Sequence, residues 1–314
     1  MRKNKLFKLV LKILIVLFSY GYIYYKFKSS HIDFMILKDV NLKYLLIAVF
    51  LMPINWLLEA IKWQYLLKDI QQISLKKALQ GVLVGITSGM ATPNRIGEYV
   101  GRTIVLAKKN RVKGSLATML GSLSQILITL IIGLLGWFIL FNYIRFFENA
   151  YYRPLFFLGF LALMVLLILI YYNLQWIKRL AKWLTINQKY IDELRFLSKY
   201  RTSELSFIIF LSFFRYVVFV TQYVLLLNSF GLDIFLLKAL SAIAIIYLII
   251  VFIPHFSISE LGVRGSVSIL IFQNFTNEHH LVAAAVSFLW LLNLAGPTLI
   301  GSVILFQRSN KSKK

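Results

Sequence analysis

The sequence predicts an all-α polytopic membrane protein: about six full spans plus two re-entrant, broken-helix hairpins in an inverted repeat. Three observations predict it. Of 314 residues, 59% are hydrophobic and only 15% are charged, whereas a soluble domain is about a quarter charged. The apolar residues fall in long runs without the period-2 alternation of an outer-membrane barrel. Two further apolar runs are short and end in polar breaks, at Thr92-Pro93-Asn94-Arg95 and at Pro254 to Glu260.

The first expected span is Leu9 to Tyr25, preceded by Arg2, Lys3, Lys5 and Lys8. Basic-then-apolar order is that of a signal peptide. Tyr20-Gly21-Tyr22-Ile23 offers no small-x-small cleavage site, so the segment reads as an uncleaved span. Span two is Lys43 to Leu67. At about 1.5 Å per residue, both cross a ~30 Å hydrocarbon core. Ala78 to Ala91 covers about two thirds of that thickness. Thr92 then suits an N-cap and Pro93 a first helical position, opening a second short helix to about Ala107. Lysine and arginine flank both ends of this unit, so it reads as a hairpin dipping in from the cytoplasm.

Span three is Ser115 to Phe141 and span four Pro154 to Leu174. Gln175 to Ser206 is the largest polar segment. Trp176, Leu180, Trp183 and Leu184 stand at helical spacing beside its cations, which predicts an amphipathic helix on the inner surface. Span five is Phe207 to Ser229. Leu236 to Phe275, broken at Pro254 to Glu260, is the second hairpin. Leu281 to Phe306 is the last span. The expected organisation is a single transmembrane domain over 1–314. Half one is 43–141 with hairpin 78–107; half two is 207–306 with hairpin 236–275; linker 175–205 joins them. One half runs inward and dips from inside, and the other does the reverse. Secondary transporters build midplane sites from broken helices in this way.

The formal net charge is +23. Its cations lie between spans rather than on one basic face, which argues against nucleic acid. Of the 35 Lys and Arg, 22 fall in predicted inner segments and 7 in outer ones. The positive-inside rule then places both termini in the cytoplasm, in the inner (cell) membrane. There is no cysteine, which removes thiol catalysis and Cys-ligated zinc. His31, His255, His279 and His280 have no metal-ligand spacing. No phosphate-binding Gly-x-x-x-x-Gly-Lys-Ser/Thr occurs, so no ATP-driven motor is encoded. No cofactor is expected, and no nucleophile–base pair suggests an enzyme.

Ionisable residues at membrane depth are costly and are functional candidates by default. Arg95, Glu98 and Arg102 share a helix face at i, i+3, i+7. Their helix is expected to begin at Thr92, with Arg95 at the hairpin tip to bind phosphate or carboxylate. The competing reading is that Arg95 and Glu98 pair to hold the fold while Arg102 reaches for the surface. Glu260 and Arg264 stand at i, i+4 behind a Ser257 capping box, with the same two readings open. Glu59 shares a face of span two with Asn55 and Lys62 and should look inward. Arg215 is a further cavity cation or a surface-reaching one. Lys62 is read as part of that inward face or as surface-reaching, and His255 as structural or proton-coupling. Gln125 and Asn293 are read as polar lining or interhelical hydrogen bonds, and Gly81, Gly85 and Gly89 as packing residues of the first hairpin.

Thr92-Pro93-Asn94-Arg95-Ile96-Gly97-Glu98, followed by Arg102, resembles the first signature of the lysylphosphatidylglycerol synthase transmembrane-region family, or flippase-like domain. Glu260-Leu261-Gly262-Val263-Arg264 resembles the second. The family form often has Pro-Gly-Gly before that glycine and an acid after the arginine; here Ser257 to Ser259 and Gly265 stand there. The resemblance covers about Leu45 to Phe306. It implies a membrane domain with a polar cavity, associated with translocating anionic, aminoacylated or polyprenyl-linked lipids. Full synthases carry a soluble aminoacyl-transferase domain after it. This sequence ends about eight residues past its last span, so a stand-alone membrane domain is expected. The expected function is a flippase- or scramblase-like transporter whose partner is an anionic membrane lipid. An accessory protein of an envelope-biosynthesis enzyme, a membrane-embedded lipid transferase and a small-anion transporter are the alternatives.

Overall fold

A computed structural model describes residues 40–140, 152–183, 193–253 and 257–311. Leu9 to Tyr25 and His255 lie outside the described residues. Among the described residues, all regular structure is helical. In order the α-helices are α1 (Leu42–Leu66), α2 (Leu75–Met90), α3 (Ile96–Arg102), α4 (Arg111–Ile139), α5 (Tyr152–Tyr172) and α6 (Gln175–Trp183). There follow α7 (Thr202–Ser229), α8 (Leu236–Phe252), α9 (Ser257–Phe272), α10 (His279–Trp290) and α11 (Gly296–Lys311). Among the described residues, four helical stretches are long and apolar enough to cross a bilayer: Leu42–Leu66, Lys108–Ile139, Thr202–Ser229 and His279–Gln307. Their outward faces carry large apolar side chains such as Phe50, Phe138 and Phe210. In lipid such faces are matched to their solvent, so helix association depends on close packing and interhelical hydrogen bonds.

α1 and α7 lie against each other at the centre. The Asn41 backbone N–H donates to the Ser229 carbonyl at 2.8 Å, joining the start of α1 to the end of α7. Further in from the same end, the Gln222 amide donates to the Ala48 carbonyl at 2.9 Å. One apolar core gathers around Trp63, Leu66, Leu127 and Ile208; the other gathers around Tyr223, Ile271 and Phe272.

α2 and α3 form one hairpin, α8 and α9 another, and each packs across the molecule. α8 lies on α4, the helix that follows the first hairpin; α2 lies on α11, at the end of the helix that follows the second. Small residues make both contacts close. A Cβ on Gly133 of α4 would stand 2.7 Å from the Leu248 Cβ, and one on Gly301 of α11 would stand 2.3 Å from the Leu83 carbonyl oxygen. The Thr87 hydroxyl adds a 3.1 Å bond to the Thr298 carbonyl.

Several boundaries differ from the expectation. α4 begins at Arg111 rather than Ser115, and α7 at Thr202 rather than Phe207. The last span is one stretch interrupted by a π-helical segment, Leu291–Ala295. Gly296-Pro297 follows it directly, and a proline removes a backbone donor from the helical ladder. Of the expected amphipathic surface segment, the described residues include α6, with Trp176 and Trp183 exposed.

Candidate functional site

The first hairpin turns at Thr92. Asn94 and Arg95 both adopt left-handed backbone, with φ of 46° and 56°. The second helix therefore starts at Ile96, not Thr92, which corrects the expected helix start. The Thr92 hydroxyl accepts the Gly97 N–H at 2.8 Å across this turn. α3 then lies hard on α2: a Cβ on Gly97 would stand 2.3 Å from the Ser88 carbonyl oxygen, and one on Gly85 would stand 2.4 Å from the Arg102 Cγ. Gly81 instead admits Trp63 of α1, where a Cβ would meet the indole at 2.5 Å. The glycines thus set the hairpin against itself and against α1.

This close seating carries the charges inward. Arg95 Nη2 lies 2.9 Å from Glu98 Oε2. The other oxygen of Glu98 accepts from Arg102. Arg102 Nη1 reaches Glu59 Oε1 on α1 at 2.6 Å. Glu59 Oε2 also contacts Lys62 Nζ at 2.9 Å and Arg215 Nη1 of α7 at 2.7 Å. Glu59 is therefore the hub of three cations. Glu59, Lys62 and Arg102 are 4%, 1% and 3% exposed, so neither Lys62 nor Arg102 reaches for the surface. Lys62 Nζ also donates to the Gly121 carbonyl at 3.2 Å and to the Ser212 hydroxyl at 3.3 Å. A buried ammonium needs this full set of acceptors, because unpaired burial of charge is prohibitive.

A polar relay continues from Arg215. Its Nε donates to Asn55 Oδ1 at 2.8 Å, and the Asn55 amide donates to Asn293 Oδ1 in the π segment at 2.9 Å. Asn293 donates on to Gln222 at 3.1 Å. Asn293 is thus an interhelical tie, and so is Gln125, whose amide donates to the Ser212 carbonyl at 3.3 Å.

On the second hairpin, Arg264 Nε and Nη2 both donate to Glu260 Oε1, at 3.1 and 2.9 Å. The Ser268 hydroxyl donates to the Arg264 carbonyl at 2.6 Å and accepts from the Tyr223 hydroxyl of α7 at 2.8 Å. α9 also touches the Pro93–Arg95 turn, so the two hairpins meet.

Between them lies a cavity of about 500 Å³. Glu59, Arg95, Glu98, Arg102, Arg215, Glu260 and Arg264 all stand in its wall, with Gln125, Thr129, Tyr216, Phe219 and Tyr247. Four arginines against three glutamates leave one formal positive charge, and Lys62 behind Glu59 adds another. The volume is that of a small-molecule site. A surplus of fixed guanidinium groups beside hydrophobic side chains suits an amphiphile with an anionic head. Sequence reasoning missed Tyr216, Tyr247 and Phe219, because aromatic residues in an apolar span read as lipid-facing. It also missed the π segment, for which Gly296-Pro297 was the available signal.

Geometry and composition define a class: a multi-pass helical membrane protein with a charged cavity between two broken helices. The chain belongs to the Lysylphosphatidylglycerol synthase TM region family, which matches residues 8–301. No curated protein matches the chain. Fold and family together fit a lipid-related membrane protein.

Proposed function

We propose that this protein is a lipid translocator of the cell membrane, with six spans, both termini cytoplasmic, and two re-entrant hairpins related as an inverted repeat. The anionic headgroup of a phospholipid or polyprenyl-linked lipid enters the cavity while its tails stay in the bilayer. The observation that carries the proposal is the gathering of four arginines and three glutamates from both hairpins, α1 and α7 around one cavity. The reciprocal packing of α8 on α4 and of α2 on α11 supports the repeat. Arg95 and Arg264, at the junction of the hairpins, hold the headgroup phosphate. Arg102 and Arg215 line the route, and Glu98 and Glu260 orient the arginines. The protein itself performs no bond-making chemistry.

The test is transbilayer movement of headgroup-labelled anionic lipid in proteoliposomes. Wild type is expected to accelerate movement over protein-free vesicles. Arg95→Ala is expected to lower the rate about 10-fold or more, the scale of one charge-assisted contact. Equal rates for the two proteins would remove Arg95 from the site.

A further inference from the structure

A second, smaller cavity of about 50 Å³ lies against the first. Arg95, Arg215 and Arg264 stand in the walls of both, so their side chains form the partition. The far wall is built from Asn55 and Trp56 of α1 and Asn293 of the π segment, among others. The two cavities differ in charge. Three glutamates face the large one, while no carboxylate lines the small one. The Trp56 indole N–H is buried and makes no hydrogen bond, and an indole nitrogen can only donate. The wall of the small pocket thus holds three arginines, each paired on one side with a glutamate, and a tryptophan whose buried N–H has no partner. Its volume exceeds the roughly 10–15 Å³ that a single water requires, so the pocket admits a group larger than one water.

We infer that this pocket is a phosphate subsite, in which a single phosphoryl group is held by Arg95, Arg215 and Arg264 and capped by the Trp56 N–H. The inference deepens the translocator reading and rests on it for the lipid source of the phosphate. A free phosphate ion presents the same chemistry. Asn55 connects this subsite to the helix interruption. It is bonded to Arg215 on one side and to Asn293 on the other.

The experiment measures binding of inorganic phosphate, and separately of short-chain phosphatidic acid, to purified full-length protein by isothermal titration calorimetry. Wild type is compared with Trp56→Phe, which keeps an aromatic ring, though a smaller one, and removes the donor, and with Leu289→Phe, which narrows the pocket without altering charge. Trp56→Phe is expected to weaken binding about 10-fold, the scale of one hydrogen bond to a charged group, and Leu289→Phe by more. Weakening seen with both probes assigns a general oxyanion site; weakening with the lipid alone assigns a headgroup site. Unchanged affinity in both variants, or no binding of either probe to wild type, overturns the subsite. The translocator reading fails separately, if phosphate binds as expected but wild type moves no lipid in vesicles.

Discussion

The two hairpins meet at one cavity, yet they are built on opposite principles. In the first, α3 is pressed onto α2 so closely that a methyl group on Gly97 has no room. Its charges are shared with other helices, through Glu59 of α1 and Arg215 of α7. In the second, a Cβ on Gly262 or Gly265 meets no heavy atom within 4 Å. Arg264 there is held by Glu260 of its own helix. A charge tied to three helices cannot move without breaking a buried network. A charge tied to its own helix moves with that helix at little electrostatic cost. The comparison assigns the first hairpin to the scaffold and the second to the part that can respond to a ligand.

The strongest way to break this distinction is to remove the hub. Glu59→Gln leaves buried Lys62 and Arg102, and half-buried Arg215, with one fewer counter-charge, and losing one partner of a buried pair costs about 3–5 kcal/mol. Glu260→Gln removes the partner of Arg264, whose side chain is 24% exposed, and a buried carboxylate that also acts on Arg95. Water screens Arg264 in part, so the expected loss is smaller than at Glu59, about 1–3 kcal/mol. Thermal unfolding in one detergent measures both. Equal losses would mean that Glu59 is no more a structural hub than Glu260.

Glycine substitutions sharpen the same contrast. Gly97→Ala forces a methyl to within 2.3 Å of a backbone oxygen, and overpacking of this kind costs about 1–3 kcal/mol. Gly262→Ala enters open space within α9. Alanine there is expected to stabilise by about 0.5–1 kcal/mol, because glycine loses more backbone freedom on entering a helix. Unfolding midpoints that shift in opposite directions bear this out; a shared direction refutes the difference in packing.

How far the sequence foretold this molecule follows from the physics of each feature. Four of the expected spans, two, three, five and the last, were legible because long apolar runs admit few other readings. The seven ionisable candidates were legible because a charge in such a run must turn inward, and all seven do stand in one cavity wall. What the charges touch was not legible. Glu59 and Arg102 are 43 residues apart and meet only through tertiary packing. Lys62 was left open between the inward face and the surface, because a long side chain near a span end can reach either. Its burial depends on Gly121 and Ser212, on two other helices. The helix start at Ile96 was hidden because Thr92-Pro93 is a good N-terminal signal by itself. Two left-handed residues after it leave no pattern that sequence spacing can detect.

Those two residues give the smallest and most local test. Among the described residues, Asn94 and Arg95 alone are non-glycine with positive φ. The left-handed conformation costs an ordinary L-residue about 1–2 kcal/mol, and asparagine tolerates it better than most. Asn94→Gly should therefore change stability by only a few tenths of a kcal/mol, while Asn94→Val should cost about 1–2 kcal/mol because a β-branched residue resists positive φ. The strain is offset locally by the Thr92–Gly97 hydrogen bond and the Arg95–Glu98 ion pair. If the turn exists to aim Arg95, Asn94→Gly should also relax that aim and slow lipid movement more than its stability change explains. Unchanged movement with unchanged stability would make the left-handed turn a means of packing Gly97 against Ser88, with Arg95 placed by Glu98 alone.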